Sequence, residues 1–128
     1  MNDVIRMQFP ADTEYISTIR LAVSGLAGRM DYNLDEIEDL KACVAEACLL
    51  LLCRQNCSGL DIIINIDKVI RLSVNGVDVQ ATKRGEESCT EFNEEISKLM
   101  IEALSEEAEF KEEDGVLTSI AFVKSHTA

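Results

Sequence analysis

The sequence predicts an α+β sandwich in which three helices cover one face of a mostly antiparallel sheet. Three observations lead there. Apolar residues alternate with period two near residues 4–9, and runs at 60–66, a β-branched one, 69–74 and 116–123 read as further strands. Three longer segments carry apolar residues at helical spacing. Turn chemistry between Ile66 and Val69, and at Asp114-Gly115, joins neighbouring strands as hairpins.

Ile5, Met7 and Phe9 fall on one side of a first strand, which Pro10 closes, and Asp12 or Thr13 caps the helix after it. From Thr13 to about Arg29, Ile16, Ile19, Val23 and Leu26 form a helical stripe. Gly25 and Gly28 weaken its last turns or mark close helix packing. Asn33-Leu-Asp-Glu36 offers a capping box, with Asp35, Glu36, Glu38 and Asp39 at the positive end of the helix dipole. Ile37, Leu40, Val44, Ala47 and Leu51 then continue a helix to about Arg54 whose second half is apolar nearly all round, so it is expected at the centre of the core. Leu60–Ile66 and Val69–Val74 read as a hairpin that Asn75-Gly76 ends or bends, and the polar residues 78–92 read as a loop. Ile96, Leu99, Met100, Ala103 and Leu104 define the apolar face of a third helix. Residues 107–111 and 116–123 complete a final hairpin.

With 128 residues the chain fits one domain, large enough to bury a core without staples. Its 24 acidic and 12 basic residues give a formal charge of −12, unevenly placed. Residues 1–85 carry a net −3, whereas residues 86–114 carry −10. That balance disfavours nucleic acids and anionic membrane surfaces, both of which select basic residues. The start of the chain lacks a basic-then-apolar leader and no apolar run is long enough to span a bilayer, so a cytoplasmic protein is expected. Cysteines stand at 43, 48, 53, 57 and 89, with no Cys-x-x-Cys and one histidine, His126. Zinc and disulfide roles are disfavoured; buried free thiols are the expectation.

The stretch Asp35-Glu-Ile-Glu-Asp-Leu-Lys-Ala-Cys-Val-Ala-Glu-Ala-Cys48 resembles the first conserved helix of the anti-sigma-factor serine kinases, members of the GHKL superfamily with the histidine-kinase-like (Bergerat-type) ATPase fold. Leu99–Phe110 resembles that family's late helix and the strand after it, and the element order matches over nearly the whole chain. The resemblance implies a single domain over residues 1–128, with an ATP lid shortened to about residues 78–92. It also implies a site of three parts.

The family's first helix carries Glu-x-x-x-Asn, the carboxylate serving as base and the amide holding magnesium. Here Glu46 matches the acid, while the magnesium position is Leu50, which offers no oxygen to a hard cation. The family's adenine-reading Asp-x-Gly-x-Gly turn aligns with Val74-Asn75-Gly76-Val77-Asp78, leaving Asn75 and Gly76 as its remnant. The two glycines of its phosphate loop fall on Glu95 and Ser97, with Glu91 and Glu94 on the same approach. Carboxylates there repel a triphosphate. No metal ligand set is expected, nor any cofactor; ATP and magnesium belong only to the alternative of an active ATP-dependent protein serine kinase with a divergent site. The resemblance implies instead an anti-sigma-factor-like regulator that binds a sigma factor, a STAS-type anti-anti-sigma partner, or both, and that forms a homodimer. Glu46 would then be vestigial.

Overall fold

A computed structural model describes residues 2–82 and 89–127. Gly85 and the middle of the expected lid lie outside the described residues. Strand β1 (Asp3–Pro10) turns Ile5, Met7 and Phe9 inward and Val4, Arg6 and Gln8 outward. A single 3-10 turn, Thr13–Tyr15, comes next, capped by the Asp12 carboxylate accepting from the Glu14 amide at 2.9 Å. It leads into α1 (Ile16–Gly28), which buries Ile19, Val23 and Ala27. A methyl at Gly25 or Gly28 would meet open space, so neither glycine marks close helix packing.

Helix α2 (Leu34–Cys53) begins at the expected capping box. The Asn33 side chain accepts from the Glu36 amide, and the Glu36 carboxylate accepts from the Asn33 amide, both at 2.8 Å. Its second half buries Val44, Ala47, Cys48, Leu50, Leu51 and Leu52 completely, because α1 and α3 flank it and the sheet lies beneath. Strands β2 (Gly59–Ile66), β3 (Ile70–Val77), β4 (Glu107–Glu113) and β5 (Val116–Lys124) join β1 in the order β1-β2-β3-β5-β4, antiparallel throughout. Helix α3 (Glu94–Leu104) lies in the crossover from β3 to the edge strand β4. The paired row Ile5, Ile64, Leu72, Phe122 and Ala108 runs across the sheet on its helix side. Burying these side chains under α2 is the main apolar gain of the fold.

Asn75 and Gly76 lie inside β3, paired with Asp61 and Leu60, rather than ending it. The last hairpin turns at Asp114 and Gly115, both at positive φ, as an Asp-Gly turn requires. A register shift between Lys111 and Glu112 skips Thr118, and Gln55, just after α2, holds the neighbouring Leu117. Its Oε1 accepts from the Leu117 amide at 2.9 Å and its Nε2 donates to the Leu117 carbonyl. Tyr32 does similar work at the opposite end of the sheet. Its hydroxyl accepts from the Ile70 amide at 2.8 Å and donates to the Lys124 carbonyl.

The third helix departs from its expected orientation. Ile96 and Leu99 are 55% and 65% exposed, Ala103 is exposed, and the buried residues are Ser97 and Ile101. Leu104 alone of the five expected residues packs against the core. The apolar arc of α3 is wider than the strip α2 and the sheet can cover, and Ser97 is drawn inside because α2 holds an acceptor for its hydroxyl.

Candidate functional site

Two of the residues singled out by the resemblance meet between α2 and α3. Ser97 Oγ, on a residue 2% exposed, donates to Glu46 Oε1 at 2.9 Å. Around this pair lies a cavity of about 340 Å³ lined by Glu46, Leu49, Glu91, Phe92, Asn93, Ile96 and Ser97. Helical geometry decides which α2 side chains reach it. Leu49, three residues after Glu46, lines the wall. Leu50, four residues after, is fully buried in the core. Leu50 therefore belongs to the packing of α2.

Two amides in the first turn of α3 bond to Asn93. The Asn93 side chain accepts from the Ile96 amide at 3.1 Å, and the Asn93 carbonyl accepts from the Ser97 amide at 3.0 Å. Glu94 and Glu95 occupy the first turn, where carboxylates complement the helix dipole. Glu95 is exposed and does not line the cavity. Glu94 bridges Arg54 Nε at 3.3 Å and Lys98 Nζ at 3.5 Å. Arg54 reaches Glu112 as well, at 2.9 Å, and that hydrogen bond holds the Glu112 carboxyl below the usual carboxylate range. Among the described residues, the cavity walls carry two carboxylates and no lysine or arginine. Chemically the recess suits a hydrogen-bond donor or a cation better than a phosphate.

Asn75 and Gly76 are not brought to Glu46. Asn75 lies on the face of the sheet away from the helices, where its amide donates to the Asp61 carbonyl and Ser73 Oγ, and its carbonyl oxygen accepts from Ser119 Oγ at 2.8 Å. A Cβ at Gly76 would stand 2.5 Å from Val79 Cγ2, so the glycine makes room for Val79 to pack near Leu51.

The expectation of free thiols throughout is corrected at one pair: Cys53 and Cys89 form a disulfide, with Cα atoms 5.5 Å apart. Helical spacing rules out partners for Cys53 within α2, but the last turn of α2 faces the segment that leads into α3, 36 residues along the chain. The bond ties the end of α2 to the approach to the cavity. Cys43, Cys48 and Cys57 are free and buried, as expected. Burial pushes the Cys43 and Cys48 thiols up to about 12, which keeps them protonated at neutral pH. Leu49, Phe92, Asn93 and Arg54 line or frame the site without having been singled out from the sequence. Only Asn93, standing before Glu94-Glu95, left a readable mark, that of a helix cap.

No family model matches the chain. A stretch of 46 residues, 36% of the chain, is 59% identical to the serine-protein kinase RsbW of Bacillus subtilis. The corresponding proteins of Bacillus pumilus and Halalkalibacterium halodurans are 56% and 50% identical over stretches of the same length. Over this stretch the chain is similar to serine-protein kinases. The matched stretch spans only 29% of the Bacillus subtilis protein and 28% of the other two. The α+β architecture, three helices and a five-stranded antiparallel sheet, is consistent with a GHKL-like ATPase fold. Among the described residues, no helix is long and apolar enough to cross a membrane.

Proposed function

We propose that this chain is an anti-sigma-factor-like regulator that works by binding protein partners and not by phosphoryl transfer. One observation supports the reading: the cavity beside Glu46, at positions that the resemblance aligns with the family's phosphate loop, is lined by two carboxylates and by no lysine or arginine among the described residues. Leu50 is fully buried and the Ser97 hydroxyl is committed to Glu46. Asn93 caps α3, and Glu91 lines the recess. These residues do not fit magnesium-ATP, which needs oxygen ligands for the metal and backbone amides open to phosphate.

The partners come from the resemblance: a sigma factor and a STAS-type anti-anti-sigma protein. Without a nucleotide step, release comes from competition between the two for the regulator. The acidic segment 86–114 would steer basic partner surfaces, affecting on-rate and orientation more than affinity. The test is a binding assay with the sigma factors and STAS proteins encoded in the same genome, with and without ATP and magnesium. A complex that forms equally in both conditions, and that a STAS protein disperses, is the expected result. Failure of every sigma factor and STAS protein to bind refutes the regulator; a complex that requires ATP refutes the loss of the nucleotide step.

A further inference from the structure

The apolar arc of α3 is only half covered by the fold. Ile96, Leu99, Met100 and Ala103 stand at i, i+3, i+4 and i+7 on one stripe, with Ile96 and Leu99 55% and 65% exposed. Glu95 and Glu102, both exposed, run along its outer margin. Ile96 also lines the cavity, so the stripe leads into a recess that sets Leu49 and Phe92 beside Glu46 and Glu91. An exposed apolar stripe bordered by charges of one sign is the form of surface that receives an amphipathic helix.

We propose that this face docks a basic amphipathic helix of a partner protein, its apolar side on Ile96, Leu99 and Ala103 and one arginine inserted beside Glu46. The cavity has the chemistry for that side chain. Its apolar walls match the arginine stem, and its two carboxylates match a planar donor that stays charged when partly desolvated. The hydrogen bond from Ser97 fixes the Glu46 carboxylate, so little freedom is lost on binding. Other occupants fit less well. A second copy of the chain would set Glu95 and Glu102 against their own counterparts, a like-charge contact. Residues 83–88, Lys-Arg-Gly-Glu-Glu-Ser, contain no apolar side chain to lay on the stripe.

This docking face rests on the partner-binding function but is separable from it. The probe is a fluorescein-labelled synthetic helix with a leucine stripe, lysine flanks and one central arginine; its control carries glutamate at the flanks. Binding to the full chain is measured by fluorescence anisotropy at rising salt and by backbone amide shifts. Binding of the basic peptide is expected with shifts on α3, weakening with salt, and absent for the control. Leu99→Asp should abolish it. Glu46→Gln should weaken it about tenfold, the equivalent of about 1.4 kcal/mol. Glu95→Lys with Glu102→Lys should reverse the preference between the two peptides, and circular dichroism confirms that each variant folds. Unchanged affinity in Leu99→Asp, shifts confined to the outer face of the sheet, or concentration-dependent self-association that Leu99→Asp abolishes would overturn the proposal. Loss of sigma-factor and STAS binding with peptide binding intact overturns only the functional reading. Sigma-factor binding with no peptide binding overturns only the docking face.

Discussion

Replacing Leu50 with asparagine introduces the residue type that the resemblance implies for a magnesium ligand, and it separates a core residue from a vacant ligand position. Leu50 has no exposed surface and sits in the apolar cluster formed by α2 and the sheet. Losing that burial costs roughly 1.5–3 kcal/mol. An amide left there without partners adds about 1–3 kcal/mol. The expected destabilisation is therefore about 2.5–6 kcal/mol, against a total of about 5–15 kcal/mol for a domain of this kind. Urea unfolding monitored by far-ultraviolet circular dichroism measures it, and a parallel titration with ATP and magnesium asks whether binding appears. A severely destabilised variant that binds no nucleotide is expected. A variant within about 1 kcal/mol of the parent that gains magnesium-ATP binding would show that residue 50 faces a nucleotide pocket, and the reasoning would fail.

Gln55→Leu removes both hydrogen bonds to Leu117 at the bulge and leaves a buried amide and carbonyl unpaired, so a loss of about 2–4 kcal/mol in chemical denaturation is expected. A loss below about 0.5 kcal/mol would mean that the bulge finds other partners. Without reductant, thiol titration of the denatured chain should find the three free cysteines and no more, and all five after reduction. Reducing Cys53–Cys89, a loop of 36 residues, should lower stability by about 4 kcal/mol on the chain-entropy account. Four carboxyls are held below their ordinary range in the folded state: Glu36 by the Asn33 amide, Asp61 by Arg6, Asp67 by the Val69 amide and Glu112 by Arg54. Each binds its proton more weakly folded than unfolded, so its stabilisation is complete above the ordinary carboxylate pKa and is lost as pH falls through the lowered folded value. Melting temperature should fall steadily through that acid range; a flat profile would contradict these contacts.

The features legible in the sequence are those decided locally. Asn33 and Glu36 lie three residues apart and satisfy each other without outside help, so the start of α2 was legible. The same holds for the alternation in β1 and for the Asp114-Gly115 turn. Contacts between distant segments were not. Gln55 and Leu117 are 62 residues apart, and Tyr32 and Lys124 are 92 apart. Nothing local marks a glutamine as the partner of a bulge. The α3 stripe misled for a related reason: apolar spacing shows that a helix has a face, while its neighbours decide which half of a wide face is covered. At the site, Glu46 and Ser97 were identified from the family pattern and do meet. Asn75, identified in the same way, lies on the far side of the sheet because strand alternation turns it away from its neighbour Val74. The cysteine expectation failed because it compared spacings within one helix, whereas the partner of Cys53 arrives through tertiary structure.

The central claim is that the recess beside Glu46 does not take a nucleotide. Isothermal titration calorimetry of the full chain with ATP and magnesium tests it directly, before and after reduction of Cys53–Cys89. No heat of binding is predicted in either state. Micromolar binding that weakens in Glu46→Ala would contradict the account.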